Sequence, residues 1–135
     1  MDYLNTNKIS STSIFYKGIR KGRKPLDRLF SYVMGASASV ILGMKFKEMN
    51  AQPTVFSNTL LTFVKEPPKD FNFDTYIYWL ALQENFKVKR DFYNFPPREH
   101  GESKWDFGLS SKIKFSISLL KYFFKLKKAN ESYSQ

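Results

Sequence analysis

A chain of 135 residues with 22 lysines and arginines against 12 acids, a net charge of +10, is one domain by length and favours anionic partners. Such partners are nucleic acid, anionic lipid headgroups or phosphorylated ligands. The chain has no cysteine, which excludes a disulfide framework and a thiolate metal site, and its 14 Phe and 8 Tyr imply apolar faces larger than a lone domain of this size covers.

Residues 1–13 are polar and rich in Ser, Thr and Asn, and they read as a frayed terminus or the stub of a further segment. The start, Met1-Asp2-Tyr3-Leu4-Asn5, has no apolar core of the signal-peptide kind. Ile14-Phe15-Tyr16 opens a short strand that leads into the basic stretch Lys17-Gly18-Ile19-Arg20-Lys21-Gly22-Arg23. Pro25 suits a first helical turn, and the run to about Met44 predicts a helix with Gly35, Ala36, Ser37, Ala38 and Ser39 in its middle. Small residues there let a second backbone or an acyl chain come close. Helix packing against a sheet explains them equally well. The longest uncharged run, Leu29 to Met44, is 16 residues, too short and too rich in small residues for a membrane span.

Phe46 to Phe56 predicts a strand entering the loop at Pro53. After Pro67-Pro68, Asp70 or Asn72 caps a helix running to about Asn85, and Lys87 to Phe92 alternates as a short strand. A last helix is predicted from about Leu109 to Lys128. On its wheel Lys114, Lys121, Lys125 and Lys128 share a stripe, beside an apolar strip of Ile113, Ile117, Leu120 and Phe124. Phe115, Leu119, Tyr122, Phe123 and Leu126 cover most of the rest, and no acid lies between Asp106 and Glu131. A basic helix with so broad an apolar arc suits a membrane interface. The alternative is a helix buried on one side by its own domain and on the other by a partner.

Two polar loops lie between the apolar runs, where binding and catalytic groups tend to sit. One is Asn50-Ala51-Gln52-Pro53-Thr54-Val55-Phe56. The other, Phe95-Pro96-Pro97-Arg98-Glu99-His100-Gly101-Glu102-Ser103-Lys104-Trp105, packs seven reactive or bulky side chains around one glycine. With the helix start Asp70-Phe71-Asn72-Phe73-Asp74, these segments resemble the C-terminal part of a family 2 glycosyltransferase of the dolichol-phosphate mannosyltransferase, or polyprenyl-phosphate sugar transferase, branch. Members of that branch carry Asp-x-Asn-Ala-Gln-Pro-Lys-x-Phe, then Asp-Phe-x-Phe-Asp, then Pro-Arg-x-x-Gly-x-Ser-Lys-Trp. The likeness covers roughly Ile14 to Lys128, in order and with similar spacing. It departs at Glu48, where the family has Asp, and at Thr54, where it has Lys. The family's Asp-x-Asp metal motif occurs nowhere in this sequence.

The resemblance implies an α/β fold, the C-terminal portion of a nucleotide-diphospho-sugar transferase of the GT-A type. Residues 14–108 would belong to the transferase domain, 109–128 would be the interfacial helix and 129–135 a tail. The implied reaction moves a sugar from a nucleotide-sugar donor to a polyprenyl phosphate or related glycan, at the cytoplasmic face of a membrane, with Mg²⁺ or Mn²⁺ held elsewhere. A separately encoded N-terminal half would complete the enzyme, and the chain alone is expected to be inactive. By the same resemblance Arg20, Arg23 and Arg28 bind the acceptor phosphate. Arg98, Gly101, Glu102, Ser103 and Trp105 belong to the donor-diphosphate loop. Glu48, Asn50, Gln52, His100 and Lys104 are the catalytic candidates.

The chemistry suits those residue types. A guanidinium fork pairs with two phosphate oxygens, although the same cluster also reads as a solvated basic face. Lys104 and Arg98 compensate charge on a leaving diphosphate. His100 is the only histidine, which by itself makes no metal site. Asn50 and Gln52 suit sugar hydroxyls, and Glu48 is the nearest carboxylate base. Two other readings compete: a nucleic-acid-binding module, and a non-catalytic basic protein of a membrane surface. No known nucleic-acid motif is present, and lysines beside a wide apolar arc suit lipid better than a groove.

Overall fold

The computed structural model describes residues 13–94 and 108–133. The chain is mixed α/β, in element order β1 (Ile14–Lys21), α1 (Pro25–Leu42), β2 (Thr54–Phe56), a 3-10 helix (Asn58–Phe63), α2 (Phe73–Gln83), β3 (Lys87–Asn94) and α3 (Leu109–Tyr133). It divides into two compact units. The first takes the residues up to Arg20 together with Asn50–Tyr93. The second takes Lys21–Met49 and the residues from Asn94 onward.

The first unit is a three-stranded sheet, ordered β2-β1-β3, with α2 on one face. β1 and β2 are antiparallel, with Phe15 opposite Phe56, Tyr16 opposite Val55 and Lys17 opposite Thr54. Strand alternation puts Phe15 and Lys17 on one face and Tyr16 on the other. Phe15 stacks on Tyr78 of α2 at 5.4 Å and on Phe56 at 6.0 Å. Every residue of α2 from Thr75 to Ala81 is buried, as expected of a helix apolar on all sides.

Local chemistry sets the ends of α2. At its start the Asp70 carboxylate accepts from the Asn72 N–H at 3.0 Å and the Asp70 carbonyl accepts from the Phe73 N–H. Of the two expected caps, the Asp70 side chain therefore serves, while Asn72 occupies the cap position with its side chain donating to Asp70 Oδ2 at 3.1 Å rather than capping the helix. At its end Asn85 adopts φ 58°. Its N–H bonds to Leu82 and that of Phe86 to Ala81, a Schellman closure that turns the chain into β3.

In the second unit α1 starts at Pro25, as expected, and ends at Gly43, whose φ of 68° suits a residue without a Cβ. α3 begins at Leu109 as expected and runs past Lys128 to Tyr133. The two helices run side by side in the same direction. Lys112 bonds Asp27 near both starts, while Leu120 and Phe124 share a groove with Val40 and Ile41 further along. Met34, Ala38, Phe46, Met49, Leu119, Phe123 and Leu126 are buried.

One expected element is displaced. The strand lies after Pro53, as β2, and residues 43–53 hold none. After Gly43 the chain turns back over α1 instead. The Phe46 N–H donates to Ser39 Oγ at 2.9 Å, and that hydroxyl donates to the Gly35 carbonyl at 2.8 Å. The Phe46 carbonyl lies so close that a Cβ on Gly35 would sit 3.2 Å from it. The small residues of α1 thus accept a returning backbone, and Phe46 has its N–H engaged by a helix rather than a ladder. The 3-10 helix was not legible. Its Ser57 cap, accepting from Thr59 N–H, sits in a run with no clear period.

Candidate functional site

The first unit brings together three segments far apart in sequence. Gly18 of β1 donates its N–H to the Pro53 carbonyl at 3.0 Å. A Cβ at Gly18 would lie 2.5 Å from the Gln52 carbonyl oxygen and 3.0 Å from Pro53 Cδ, so only glycine admits the loop there. The Gln52–Pro53 peptide is cis. The Gln52 side chain then ties the loop to α2. Its Nε2 donates to Asp74 Oδ2 at 3.1 Å, and its Oε1 accepts from Thr54 N–H at 3.2 Å. The Asn50-to-Phe56 stretch, the basic stretch and the Asp70–Asp74 helix start therefore meet at one place.

Beside that junction lies a cationic cluster that sequence reasoning missed. Lys17 is completely buried. Its ammonium donates to Thr54 Oγ1 at 3.0 Å and stands 5.6 Å from the centre of the Tyr78 ring. The Arg90 guanidinium lies 5.3 Å from the same ring centre, and its Nη2 donates to the Tyr78 hydroxyl. Cation–π attraction and the Thr54 hydroxyl help offset the desolvation of a buried ammonium. The available signal was alternation: in Phe15-Tyr16-Lys17, the lysine shares the face of the buried Phe15. Asn50 Oδ1, in the same unit, is buried without a hydrogen-bond partner.

On the opposite face of the sheet the Tyr16 hydroxyl lies 3.2 Å from Asp91 Oδ2 and 2.6 Å from the Tyr93 hydroxyl. Burial, and then the hydrogen bond with Tyr93 and the nearby Asp91 charge, push the Tyr16 phenol well above its ordinary range. It stays protonated at any physiological pH and acts as a donor.

In the second unit two expected site residues face each other. Arg23 Nη1 donates to Ser31 Oγ at 2.6 Å and lies 3.7 Å from Glu48 Oε2. The candidate base and a candidate phosphate ligand thus form an ion pair, and Glu48 sits at φ 45°. Asp27 accepts from Lys112 Nζ at 2.7 Å. That bond, reinforced by the charges of Lys112, Arg23 and Lys24 against the opposing effect of burial, holds the Asp27 carboxyl below the usual carboxylate range.

Of the candidates, Arg20, Asn50 and Gln52 belong to the first unit, and Arg23, Arg28 and Glu48 to the second. Arg28 is exposed on α1. Arg98, His100, Gly101, Glu102, Ser103, Lys104 and Trp105 lie outside the described residues. Among the described residues no group of three His, Asp or Glu side chains could hold a metal.

The second unit also carries a broad apolar surface. Leu26, Leu29, Tyr32, Val33 and Val40 of α1 and Leu109, Ile113, Ile117 and Phe124 of α3 are exposed. No described helix is long and apolar enough to cross a membrane. Comparison of the chain with family models, with curated proteins and with solved structures found no match.

Proposed function

We propose that the chain is the acceptor-side part of a glycosyltransferase that moves a sugar from a nucleotide-sugar donor to a polyprenyl phosphate or a related glycan, working at a membrane surface. The observation that carries this reading is the junction of Gly18, Gln52, Pro53 and Asp74. Two segments that resemble the family's motifs, Asn50–Phe56 and Asp70–Asp74, meet where the basic strand passes. Arg20 follows Gly18 by two residues on β1 and is the phosphate ligand nearest that junction in sequence. The donor nucleotide, its metal and any separately encoded half contribute groups that the described residues do not supply.

On this reading the chemistry needs little from a base. A phosphate monoester has a second pKa near ~6, so at neutral pH the acceptor is already a dianionic nucleophile. Catalysis then rests on holding two anions together and on compensating the charge that grows on the leaving diphosphate. Gln52 acts as a positioning residue, because both ends of its amide fix the loop. Glu48, paired with Arg23, restrains a cation rather than accepting a proton.

The test is binding of a soluble short-chain prenyl phosphate against the matching prenyl alcohol. The phosphate should bind and the alcohol should not, and Arg20→Ala should weaken the phosphate by about tenfold, the loss of one charge-assisted contact. Equal binding of phosphate and alcohol would sink the reading. A second reading, a non-catalytic basic protein of a membrane surface, is favoured by the exposed apolar face of the second unit. It predicts vesicle binding with no preference for a prenyl phosphate.

A further inference from the structure

We infer that the outward faces of α1 and α3 form one apolar platform that seats in the boundary layer of an anionic glycerophospholipid bilayer. This rests on the membrane-surface part of the reading above and not on its sugar chemistry. The sequence offers α3 for such a role and, on α1, only its small residues Gly35 to Ser39, of which Gly35 and Ala38 are buried. The structure adds α1 as an equal contributor.

Two stripes build the platform. On α3, Leu109, Ile113, Ile117, Leu120 and Phe124 recur at spacings of four, four, three and four, one face of a helix. On α1, Leu26, Leu29, Val33, Ala36 and Val40 recur at spacings of three, four, three and four, again one face. Val40 is 83% exposed and Tyr32 75%, values that no internal packing explains. Because the helices are parallel neighbours, the stripes lie edge to edge. Between them runs an open groove of about 470 Å³ lined by Tyr32, Val33, Ala36, Val40, Leu120 and Phe124, among others. Soluble proteins rarely leave a contiguous apolar surface of this kind without a partner.

Charge selects the partner. Lys114, Lys121, Lys125 and Lys128 are all exposed on α3. They stand next to the apolar stripe on the side turned away from buried Leu119, Phe123 and Leu126. Lysines so placed reach sideways to headgroup phosphates while the stripe sinks into the acyl boundary. Each lysine near an anionic surface adds to the attraction. A second copy of the chain would set these lysines against their own kind.

The experiment is sedimentation of the full chain with phosphatidylcholine vesicles, with and without phosphatidylglycerol, across a salt series. Val40→Glu and Phe124→Glu change exposed positions, and circular dichroism checks that both fold. The wild type should bind the mixed vesicles, retain part of that binding at high salt, and lose about tenfold in partition with either substitution, since each removes apolar insertion and adds a charge of the membrane's own sign. Val40→Glu binding like the wild type would leave α3 as the sole contact and overturn the platform. So would a dimeric wild type that Val40→Glu makes monomeric, since a second copy would then cover the face. Absence of vesicle binding overturns it outright. The prenyl-phosphate comparison separates the two readings: wild-type vesicle binding beside equal affinity for prenyl phosphate and prenyl alcohol would count against the transferase alone and leave the platform standing.

Discussion

In the first unit a lysine is fully buried under an aromatic ring, whereas in the second a valine stands almost bare on a helix. Lys17 and Val40 invert the usual assignment of polar outside and apolar inside, and they do so for different reasons. The Lys17 ammonium donates a hydrogen bond to Thr54 Oγ1 and keeps its charge near the Tyr78 ring, which offsets its burial. Among the described residues no comparable contact covers Val40, which is 83% exposed. A satisfied inversion marks construction, and an unsatisfied one marks a surface meant for something else. The predictions below test that distinction through the stability of each unit, in order of expected effect.

The largest contrast lies within one turn of α3. Phe123 is 0% exposed and Phe124 is 54% exposed. Phe123→Ala should cost about 4 kcal/mol in urea unfolding, because it leaves a cavity in the seam with α1. Phe124→Ala should cost about 0.5 kcal/mol or less, as for an ordinary surface position. Similar losses for the two would mean that the outward stripe is packed and that the platform is not open.

Next comes Gly18→Val. The added Cβ meets backbone rather than a flexible side chain, so the loop at Gln52 must move. A loss of about 3 kcal/mol is expected, at the upper end of overpacking costs. Gly35→Ala provides the milder companion, since its Cβ would approach the Phe46 carbonyl only to 3.2 Å. If Gly18→Val were as mild as Gly35→Ala, the junction that supports the transferase reading would be loose. Thr54→Val should follow at about 2 kcal/mol, because it deprives the buried Lys17 ammonium of an acceptor without changing shape. A neutral Thr54→Val would show that the ammonium does not depend on that hydroxyl.

How far the sequence could be read depended on whether the controlling interaction was local. α1, α2 and β3 were legible because Pro25, Asp70 and the alternation after Lys87 act within a few residues. The start of α3 at Leu109 was legible from its apolar period. The strand expected to lead into the Asn50–Pro53 loop was not, since the hydroxyl of Ser39 captures the Phe46 N–H from a neighbouring helix, a contact no local pattern reports. The candidate site fared similarly. Gln52 stands in the sequence as a group for sugar hydroxyls, and the structure adds that its amide ties the loop to Asp74. Lys17 was read as one of a basic cluster, and its burial follows from pairing with β2 and from cover by α2. Arg90 and Tyr78 escaped notice altogether because neither sits in a motif. The exposed stripe of α3 was visible on the wheel, but its continuation on α1 depends on which face α1 buries, which only packing decides.

The smallest effect is a matter of pH. Asp27 accepts from Lys112 at 2.7 Å, and both side chains are largely shielded from solvent. The Asp27 carboxyl titrates lower in the folded chain than in the unfolded one, chiefly through that bond. The unfolded state therefore takes up the proton first as pH falls, and stability drops. The contribution is complete above the unfolded value of about 4 and is lost as pH falls through the depressed folded value. Asp27→Asn should cost about 1 kcal/mol at neutral pH and almost nothing at strongly acid pH. Denaturation of both proteins across that range checks the sign: the gap should close as acid is added. A gap that stayed constant would assign the loss to shape at the α1–α3 seam rather than to charge. In that case the parallel alignment of the two helices would owe nothing to the ion pair near their starts.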